Sequence, residues 1–130
     1  GDDSVLGSDG GDIVTGGIGN DTLWGEAGED WLSGSDGNDS LIGGAGFDAL
    51  TGGAGADIFV AAPGMGGDLI FDFTDGQDRI DVRALGITAT SQMLIVGGPE
   101  ATLISFGGED LMVLLDVTPA ALGASDFIFG

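Results

Sequence analysis

Apolar residues recur at every ninth position through the first sixty residues of the chain. They stand at Val5, Val14, Leu23, Leu32, Leu41, Leu50 and Phe59. A spacing of nine fits neither the 3.6-residue period of a helix nor the continuous alternation of one long strand. It predicts short strands of about three residues, each with one inward side chain, joined by six-residue turns. Self-similarity at a fixed period is typical of solenoids, so we expect stacked repeats rather than an ordinary globular core.

The predicted turns share the pattern Gly-Gly-x-Gly-x-Asp. GGIGNDTLW (16–24), GGAGFDALT (43–51) and GGAGADIFV (52–60) are full copies, and no residue is inserted or lost between residues 1 and 60. The aspartates fall at Asp3, Asp12, Asp21, Asp30, Asp39, Asp48 and Asp57. Glycine allows backbone angles with positive φ, which bring carbonyl oxygens to the inside of a tight turn. Each turn can therefore present carbonyl and carboxylate oxygens together.

The nine-residue period breaks after Val60. Apolar and β-branched runs follow at DLIFDF (68–73), RIDVRAL (79–85), MLIV (93–96), TLISF (102–106), LMVLL (111–115) and FIF (127–129). Gly107-Gly108 predicts a hairpin turn between two of them. Thr118-Pro119 predicts the start of a short helix, with Thr118 as N-cap. We therefore divide the chain into repeats (1–60) and capping strands (61–130), because a solenoid needs its last coil covered.

Composition restricts the chemistry. The chain has 130 residues, 22 Asp plus Glu and only Arg79 and Arg83 as basic side chains, giving a net charge of −20. Nucleic acid is excluded as a partner because its phosphates would be repelled. The absence of His and Cys removes the usual zinc and copper ligands and the His- or Cys-dependent nucleophiles. Oxygen ligands remain, and they favour calcium or magnesium.

Three further features bear on class and context. No apolar run approaches the roughly 20 residues that a membrane-spanning helix needs. Hydrophobic residues make up 42% of the chain and are regularly placed, which argues against disorder despite the 28 glycines. The chain begins GDDS without Met or a visible signal peptide, so we expect a piece of a longer protein.

Residues 1–60 resemble the repeat-in-toxin (RTX), or haemolysin-type, calcium-binding array. This resemblance implies an all-β fold, a parallel β-roll in which two nonapeptides make one 18-residue coil. Each repeat would then stack on the next but one. Asp3, Asp21, Asp39 and Asp57 would stack on one side, and Asp12, Asp30 and Asp48 on the other.

The resemblance also implies ligand sets for about five Ca²⁺ ions. An earlier turn gives carbonyls of its second and fourth positions plus its Asp, and the later turn gives carbonyls of its first and third positions plus its Asp. On one side the sets are Gly1 and Asp3 with Gly16, Ile18 and Asp21; Gly17, Gly19 and Asp21 with Gly34, Asp36 and Asp39; and Ser35, Gly37 and Asp39 with Gly52, Ala54 and Asp57. On the other side they are Ser8, Gly10 and Asp12 with Gly25, Ala27 and Asp30; and Glu26, Gly28 and Asp30 with Gly43, Ala45 and Asp48.

Two details of these sets are expectations of their own. We expect Glu26 to perturb its turn, because it replaces the second glycine. Asp68, Asp72 or Asp78 would complete one or two terminal sites with Asp48 or Asp57.

The second half resembles secreted relatives too. DLIFDFTDGQDRIDVRALGIT is similar to the segment that follows the repeats in serralysin-type proteases. Asp126-Phe127-Ile128-Phe129 resembles the acidic-then-apolar tail of uncleaved type I secretion signals, although Gly130 after it is a departure; alternatively, this run is simply the last edge strand. The resemblance implies a non-catalytic, monomeric module secreted by a Gram-negative bacterium. It would be unfolded at low calcium and folded outside the cell, with the type I translocator and an upstream domain as partners.

Two other functions stay open. Clustered carboxylates could perform glycoside chemistry, although seven equivalent aspartates fit an asymmetric acid–base pair poorly. The chain could instead be a rigid adhesive, surface-layer or polysaccharide-binding spacer. Outward-facing side chains would form one column on each sheet, and these columns would either pack on the second half or dock a partner or glycan. The columns are Leu6, Trp24, Ile42 and Val60 on one sheet, and Ile13, Trp31 and Ala49 on the other.

Overall fold

Two β-sheets face each other along the whole molecule, which a computed structural model describes from residue 1 to residue 130. The strands are β1 Ser4–Asp9, β2 Ile13–Ile18, β3 Thr22–Ala27, β4 Trp31–Asp36, β5 Ser40–Ala45, β6 Ala49–Ala54, β7 Ile58–Val60, β8 Gly67–Ile70, β9 Arg79–Asp81, β10 Leu94–Gly97, β11 Ala101–Gly107, β12 Asp110–Leu115 and β13 Phe127–Ile128. One sheet has the order β1-β3-β5-β7-β9-β13, and the other β10-β11-β12-β8-β6-β4-β2. The fold is therefore all-β, a parallel β-roll extended by further strands, as predicted.

The register of the repeats is 18 residues. Leu23 pairs with Leu41 in one sheet, and Leu32 pairs with Leu50 in the other, with every strand of the roll parallel to its neighbours. Successive strands alternate between the sheets because the three residues between one strand and the next carry the chain across. Repeat n therefore lies on repeat n+2, and equivalent residues form straight ladders.

The ninth-position residues form the core between the sheets. The side chains of Leu23, Leu32, Leu41, Leu50 and Phe59 are fully buried, and the two ladders continue into Ile70 and Ile80 of the second half. Burying one such side chain contributes about 1.5–3 kcal/mol. At the other end of the core, Val14 is buried and Val5 of the first coil is only partly buried.

The repeat strands have six residues rather than the expected three, so that length was wrong. In β3, Thr22, Leu23 and Trp24 pair with residues of β5, and after Gly25 is skipped, Glu26 and Ala27 pair as well. The reason is that identical turns stack in register, so the ladder continues through their glycines.

The second half prolongs both sheets. β8 and β9 continue the parallel ladders, while β10, β11 and β12 form an antiparallel group attached to β8. The Gly107-Gly108 hairpin is confirmed, since Gly107 pairs with Asp110 across it. Because the same sheets run across Val60, the division of the chain at residue 60 stays a prediction.

Other predicted elements differ in the structure. The run 79–85 is a strand only to Asp81 and continues as a 3₁₀ turn, Arg83–Leu85. A further 3₁₀ turn covers Pro119–Ala121, with Pro119 at its first position, but the Thr118 side chain makes no capping hydrogen bond. Two more 3₁₀ turns, Thr90–Gln92 and Ala124–Asp126, complete the elements. No helix has the length and apolar character required to cross a bilayer.

Candidate metal centre

The aspartates of the turns form two ladders of hydrogen bonds. The Oδ1 atom of Asp21 accepts the backbone N–H of Asp3 at 2.7 Å, and the Oδ1 atom of Asp30 accepts that of Asp12 at 2.8 Å. The same bond, at 2.7–2.9 Å, links Asp39 to Asp21, Asp57 to Asp39 and Asp48 to Asp30. One oxygen of each of these carboxylates therefore holds the register of the coils.

The other carboxylate oxygen has no partner in the protein. The Oδ2 atoms concerned are buried and belong to Asp21, Asp30, Asp39, Asp48 and Asp57. A buried carboxylate oxygen without a hydrogen bond or a cation carries a large desolvation cost. Five equivalent unpartnered oxygens at regular spacing indicate positions that a bound cation would satisfy.

These oxygens lie against the first glycine of their own turn. A methyl group on Gly16 would lie 2.5 Å from the Oδ2 atom of Asp21 and 2.9 Å from the carbonyl oxygen of Gly34. The same arrangement joins Gly25 to Asp30 and the Gly43 carbonyl, and Gly34 to Asp39 and the Gly52 carbonyl. The first glycine thus leaves room where an Asp and the first carbonyl of the next stacked turn approach each other.

The carbonyls of the third turn position already have one partner. Those of Ala27, Asp36, Ala45 and Ala54 accept N–H groups from Gly10, Gly19, Gly28 and Gly37 of the turn stacked before them, at 2.7–2.9 Å. The N-terminal amine of Gly1 bonds the Ile18 carbonyl in the same way. A carbonyl oxygen has a second lone pair, so this bond leaves the oxygen able to act as a ligand. The ligand sets themselves stay a prediction.

The second position has a left-handed backbone in every turn from Gly17 to Gly53. Gly17, Gly44 and Gly53 have φ of 103–108°, and Glu26 and Ser35 adopt φ of 84° and 86° at the same position. Glu26 nevertheless pairs in register with Gly44, so its turn keeps the common shape at the cost of strain. The carbonyl oxygens of Glu26 and Ser35 lie against Gly44 and Gly53 of the next stacked turns, and those of Gly19 and Gly28 against Gly37 and Gly46.

The first coil differs from the others. Ser8 has no positive φ, and its N–H and hydroxyl both donate to the Oδ2 atom of Asp12, at 2.7 and 3.2 Å. Asp3 is exposed. The oxygen that is unpartnered in later turns is therefore satisfied by the protein at Asp12, which separates the start of the roll from its interior.

Burial and mutual repulsion act on the stacked carboxylates. Burial raises the pKa of Asp39 and of Asp48, and raises the pKa of Asp57 to about 6. Neighbouring aspartates raise these pKa values further, while the backbone hydrogen bonds of the ladder lower them. A raised pKa means that the ionised carboxylate destabilises the fold at neutral pH unless a cation offsets it.

The donor set is all oxygen. No group of three or more His, Cys, Asp or Glu side chains is close enough to hold a metal ion by itself. The rest of a coordination shell would have to come from backbone carbonyls. A shell of a few carboxylates and several carbonyls suits Ca²⁺, which accepts six to eight oxygens in flexible geometry, better than Mg²⁺, which demands a tight octahedron.

The three aspartates of the second half that were expected at terminal sites have different environments. Asp72 accepts N–H groups of Gly52 and Gly53, and Asp78 accepts those of Asp57 and Thr74, all at 2.7–2.9 Å. Asp68 is 2% exposed, and neither of its carboxylate oxygens has a partner. Burial, followed by the nearby Asp48 charge, raises the pKa of Asp68 to about 8.

Sequence reasoning missed two features around the stacks. Asn20 and Asn38 form a side-chain ladder beside the aspartates, since the Asn20 Oδ1 accepts the N–H of Asn38 and the Asn38 Oδ1 accepts that of Ala56, both at 2.8 Å. The signal was present as Asn directly before Asp at an 18-residue spacing. The second is Asp110, which accepts N–H groups of Gly64 and Gly66 and has no repeat pattern around it.

Comparison with known proteins assigns the chain to a family. The sequence model of the RTX calcium-binding nonapeptide repeat matches residues 1–32 and 33–64. The chain belongs to this RTX family. No curated protein matches it.

Solved structures agree. The AlgE6R3 subunit of the Azotobacter vinelandii mannuronan C5-epimerase is 36% identical with a TM-score of 0.76, over 97% of this chain and 82% of that one. The AlgE6R2 subunit of the epimerase is 34% identical with a TM-score of 0.78, over 96% and 91%. The extracellular lipase LipA of Serratia marcescens shares the fold alone, at 15% identity and a TM-score of 0.57 over 100% of this chain and 40% of the lipase. The chain is thus an RTX calcium-binding repeat module.

Proposed function

We propose that this RTX module is a calcium-dependent folding unit of a secreted bacterial protein. The observation that carries the proposal is the set of five buried, unpartnered Oδ2 atoms, of Asp21, Asp30, Asp39, Asp48 and Asp57. In the folded chain their charges are stacked at one-coil spacing, with no basic side chain among residues 1–60. Bound Ca²⁺ would supply the compensating charge, so folding and binding are one reaction.

The ligand sets given above are part of this proposal. Two sets share Asp21, two share Asp39 and two share Asp30, because each inner aspartate lies between two stacked turns. Occupation of one site therefore orders half of the next. We expect steep, cooperative binding to about five interior sites.

The same coupling of folding to calcium binding would serve secretion. At low calcium the repeats stay unfolded, which suits export through a type I translocator, and higher calcium outside the cell folds them. The tail Asp126-Phe127-Ile128-Phe129 fits a signal used before folding. In the folded chain Asp126 and Phe127 are buried, and β13 pairs with β9. The folded module would then assist an upstream domain, and it would itself be a non-catalytic monomer.

The test is a calcium titration of the full chain followed by far-UV circular dichroism. We expect mostly coil in EDTA, β-structure in millimolar Ca²⁺, and no comparable change in millimolar Mg²⁺, which controls for charge screening. A chain with the same β-structure in EDTA and in calcium would contradict calcium-dependent folding.

A second candidate function, binding of a glycan, is favoured by one surface feature. Trp31 is 56% exposed and stacks on Phe71 with ring centroids 6.2 Å apart and planes at 5°. A groove of about 340 Å³ beside it is lined by Ile13, Trp31 and Phe47 and by the acidic Asp12, Glu29 and Asp30. Exposed aromatic faces of this kind can stack on the apolar faces of sugar rings.

Quenching of tryptophan fluorescence by neutral oligosaccharides in calcium would test this second function. Trp31→Ala should abolish the quenching, and Trp24→Ala, on the opposite sheet, is the matched control. Quenching that survives Trp31→Ala would exclude the groove.

A further inference from the structure

Asp68 continues one aspartate stack beyond the matched repeats. The family match ends at residue 64, yet β8 pairs with β6 so that Leu69 lies opposite Ala49. The backbone N–H of Leu69 donates to the carbonyl of Asp48 at 2.8 Å, as repeat strands do at their own aspartates. Asp68 therefore occupies the position after Asp48, although 20 residues rather than 18 separate them.

The two carboxylates at this end of the stack are buried without partners. Asp48 and Asp68 are each 2% exposed. The Oδ2 atom of Asp48 and both carboxylate oxygens of Asp68 make no hydrogen bond. The equivalent residue of the other stack, Asp78, has both oxygens satisfied by backbone N–H groups of Asp57 and Thr74. The protein thus completes one end of the roll by itself and leaves the other end incomplete.

No basic group of the protein is available to Asp68. The chain has no Lys or His, and its single salt bridge joins Arg83 to Asp81 at 2.7 Å. Arg79 lies on β9 of the opposite sheet and is exposed. The N-terminal amine donates to Ile18 at the far end of the roll. The one other charged group that acts on Asp68 besides Asp48 is Asp110, which is negative too.

The stack ends at this point. The residue opposite Asp68 on the next strand, β12, is Met112, which is fully buried. No aspartate therefore follows Asp68 in register on the next strand. An ion held there would be the last of its row.

We propose that Asp48 and Asp68 hold a terminal Ca²⁺ at this end of the roll, in addition to the ions between consecutive repeats. The site rests on the proposed function in that the chain must bind calcium at all. The unpartnered donors at the site are carboxylate oxygens, and oxygen donors favour a hard cation such as calcium. Asp110, held by the N–H groups of Gly64 and Gly66, adds negative charge near the ion.

Native mass spectrometry of the full chain at saturating calcium tests the site by counting ions. Asp68→Asn keeps the shape of the side chain and removes the charge, and we expect it to bind one ion fewer than the unaltered chain. Glu109→Gln is the control, because it removes one exposed charge next to Asp110, and it should bind the full number. An unchanged count in Asp68→Asn overturns the terminal site while leaving calcium-dependent folding intact.

Anomalous diffraction from crystals of the unaltered chain grown in calcium decides the matter if Asp68→Asn does not fold. We expect a calcium peak between Asp48 and Asp68 together with peaks between the repeats. Peaks between the repeats with none at Asp68, where a protonated carboxyl would then stand, overturn the terminal site alone. No calcium peak anywhere overturns the proposed function and this inference together.

Discussion

The Oδ1 atom of Asp57 accepts the backbone N–H of Asp39 at 2.9 Å, while the Oδ2 atom of Asp57 has no partner. We propose that this one carboxylate has two separate roles: one oxygen fixes the register of the coils and the other binds a cation. The first role explains why the aspartates recur at the period of the coil. The second explains why a chain of net charge −20 places them in its interior, since burial and mutual repulsion would otherwise oppose folding.

Asp39→Ala should weaken more calcium sites than Asp12→Ala. Asp39 lies between two stacked turns and belongs to two proposed sites, whereas Asp12 starts its stack and belongs to one. Calorimetric titration should therefore show two sites weakened in the first variant and one in the second. Equal losses would show that Asp39 is not shared.

Ser35→Gly should stabilise the calcium-bound chain by about 1 kcal/mol, because it relieves a left-handed conformation that costs a side chain about 1–3 kcal/mol. Ser35 has φ of 86° where full copies of the repeat have glycine. The measurement is the unfolding free energy in urea at fixed calcium.

Ser33→Gly is the matched control for this change. Ser33 lies on the same strand, β4, without a positive φ. Glycine there should destabilise the chain by about 0.5–1 kcal/mol through lost conformational restriction. Shifts of the same sign in both variants would mean that the backbone at Ser35 is not strained.

The repeat half was largely predictable because its period is strict. The inward residues such as Leu32, the two aspartate stacks and the parallel pairing all follow from spacing together with the family resemblance. The extension of the strands into the turns did not follow, because it depends on how stacked glycine turns pair.

The second half was less predictable for a physical reason. Spacings of 20 residues from Asp48 to Asp68 and 21 from Asp57 to Asp78 conceal the continuation of both stacks. Whether an aspartate is satisfied there depends on loop backbone, as with Thr74 beside Asp78, and no side-chain pattern encodes that. The stacking of Trp31 on Phe71 likewise joins residues 40 positions apart across that irregular spacing.

Acid should remove the contribution of the Asp81–Arg83 pair to the free energy of unfolding. The Arg83 side chain donates to Asp81 at 2.7–3.2 Å and lowers the pKa of Asp81. A lowered pKa gives stability that is present above the unfolded value of about 3.9 and is lost as the pH falls through the folded value. At pH 7, Asp81→Asn should therefore be less stable than the unaltered chain, and the difference should shrink below about pH 4.

Urea unfolding of both proteins across this pH range, at saturating calcium, gives the difference directly. Both proteins lose calcium in acid, and this shared effect cancels when the unfolding free energy of the variant is subtracted from that of the unaltered chain. Asp116→Asn, which removes an exposed charge that has no salt bridge, is the control and should show no such pH dependence. A gap between Asp81→Asn and the unaltered chain that stays constant down to pH 3 would contradict the assignment.

Residues 61–130 should be required for residues 1–60 to fold in calcium. Ile70 and Ile80 pair with Leu50 and Phe59, and all four side chains are fully buried, so removal of the second half exposes the end of the core. It also uncovers two parallel sheet edges, which favour stacking between chains.

A 1–60 fragment in millimolar calcium should therefore stay disordered or aggregate in circular dichroism and size-exclusion measurements, while the full chain folds as a monomer. In the full chain, Ile80→Ala should give a graded form of the same defect, a loss of about 2–5 kcal/mol from the cavity beside Phe59. Leu94→Ala, at a 59% exposed position, should change little. If the fragment folds reversibly at the calcium midpoint of the full chain, the second half does not act as a cap.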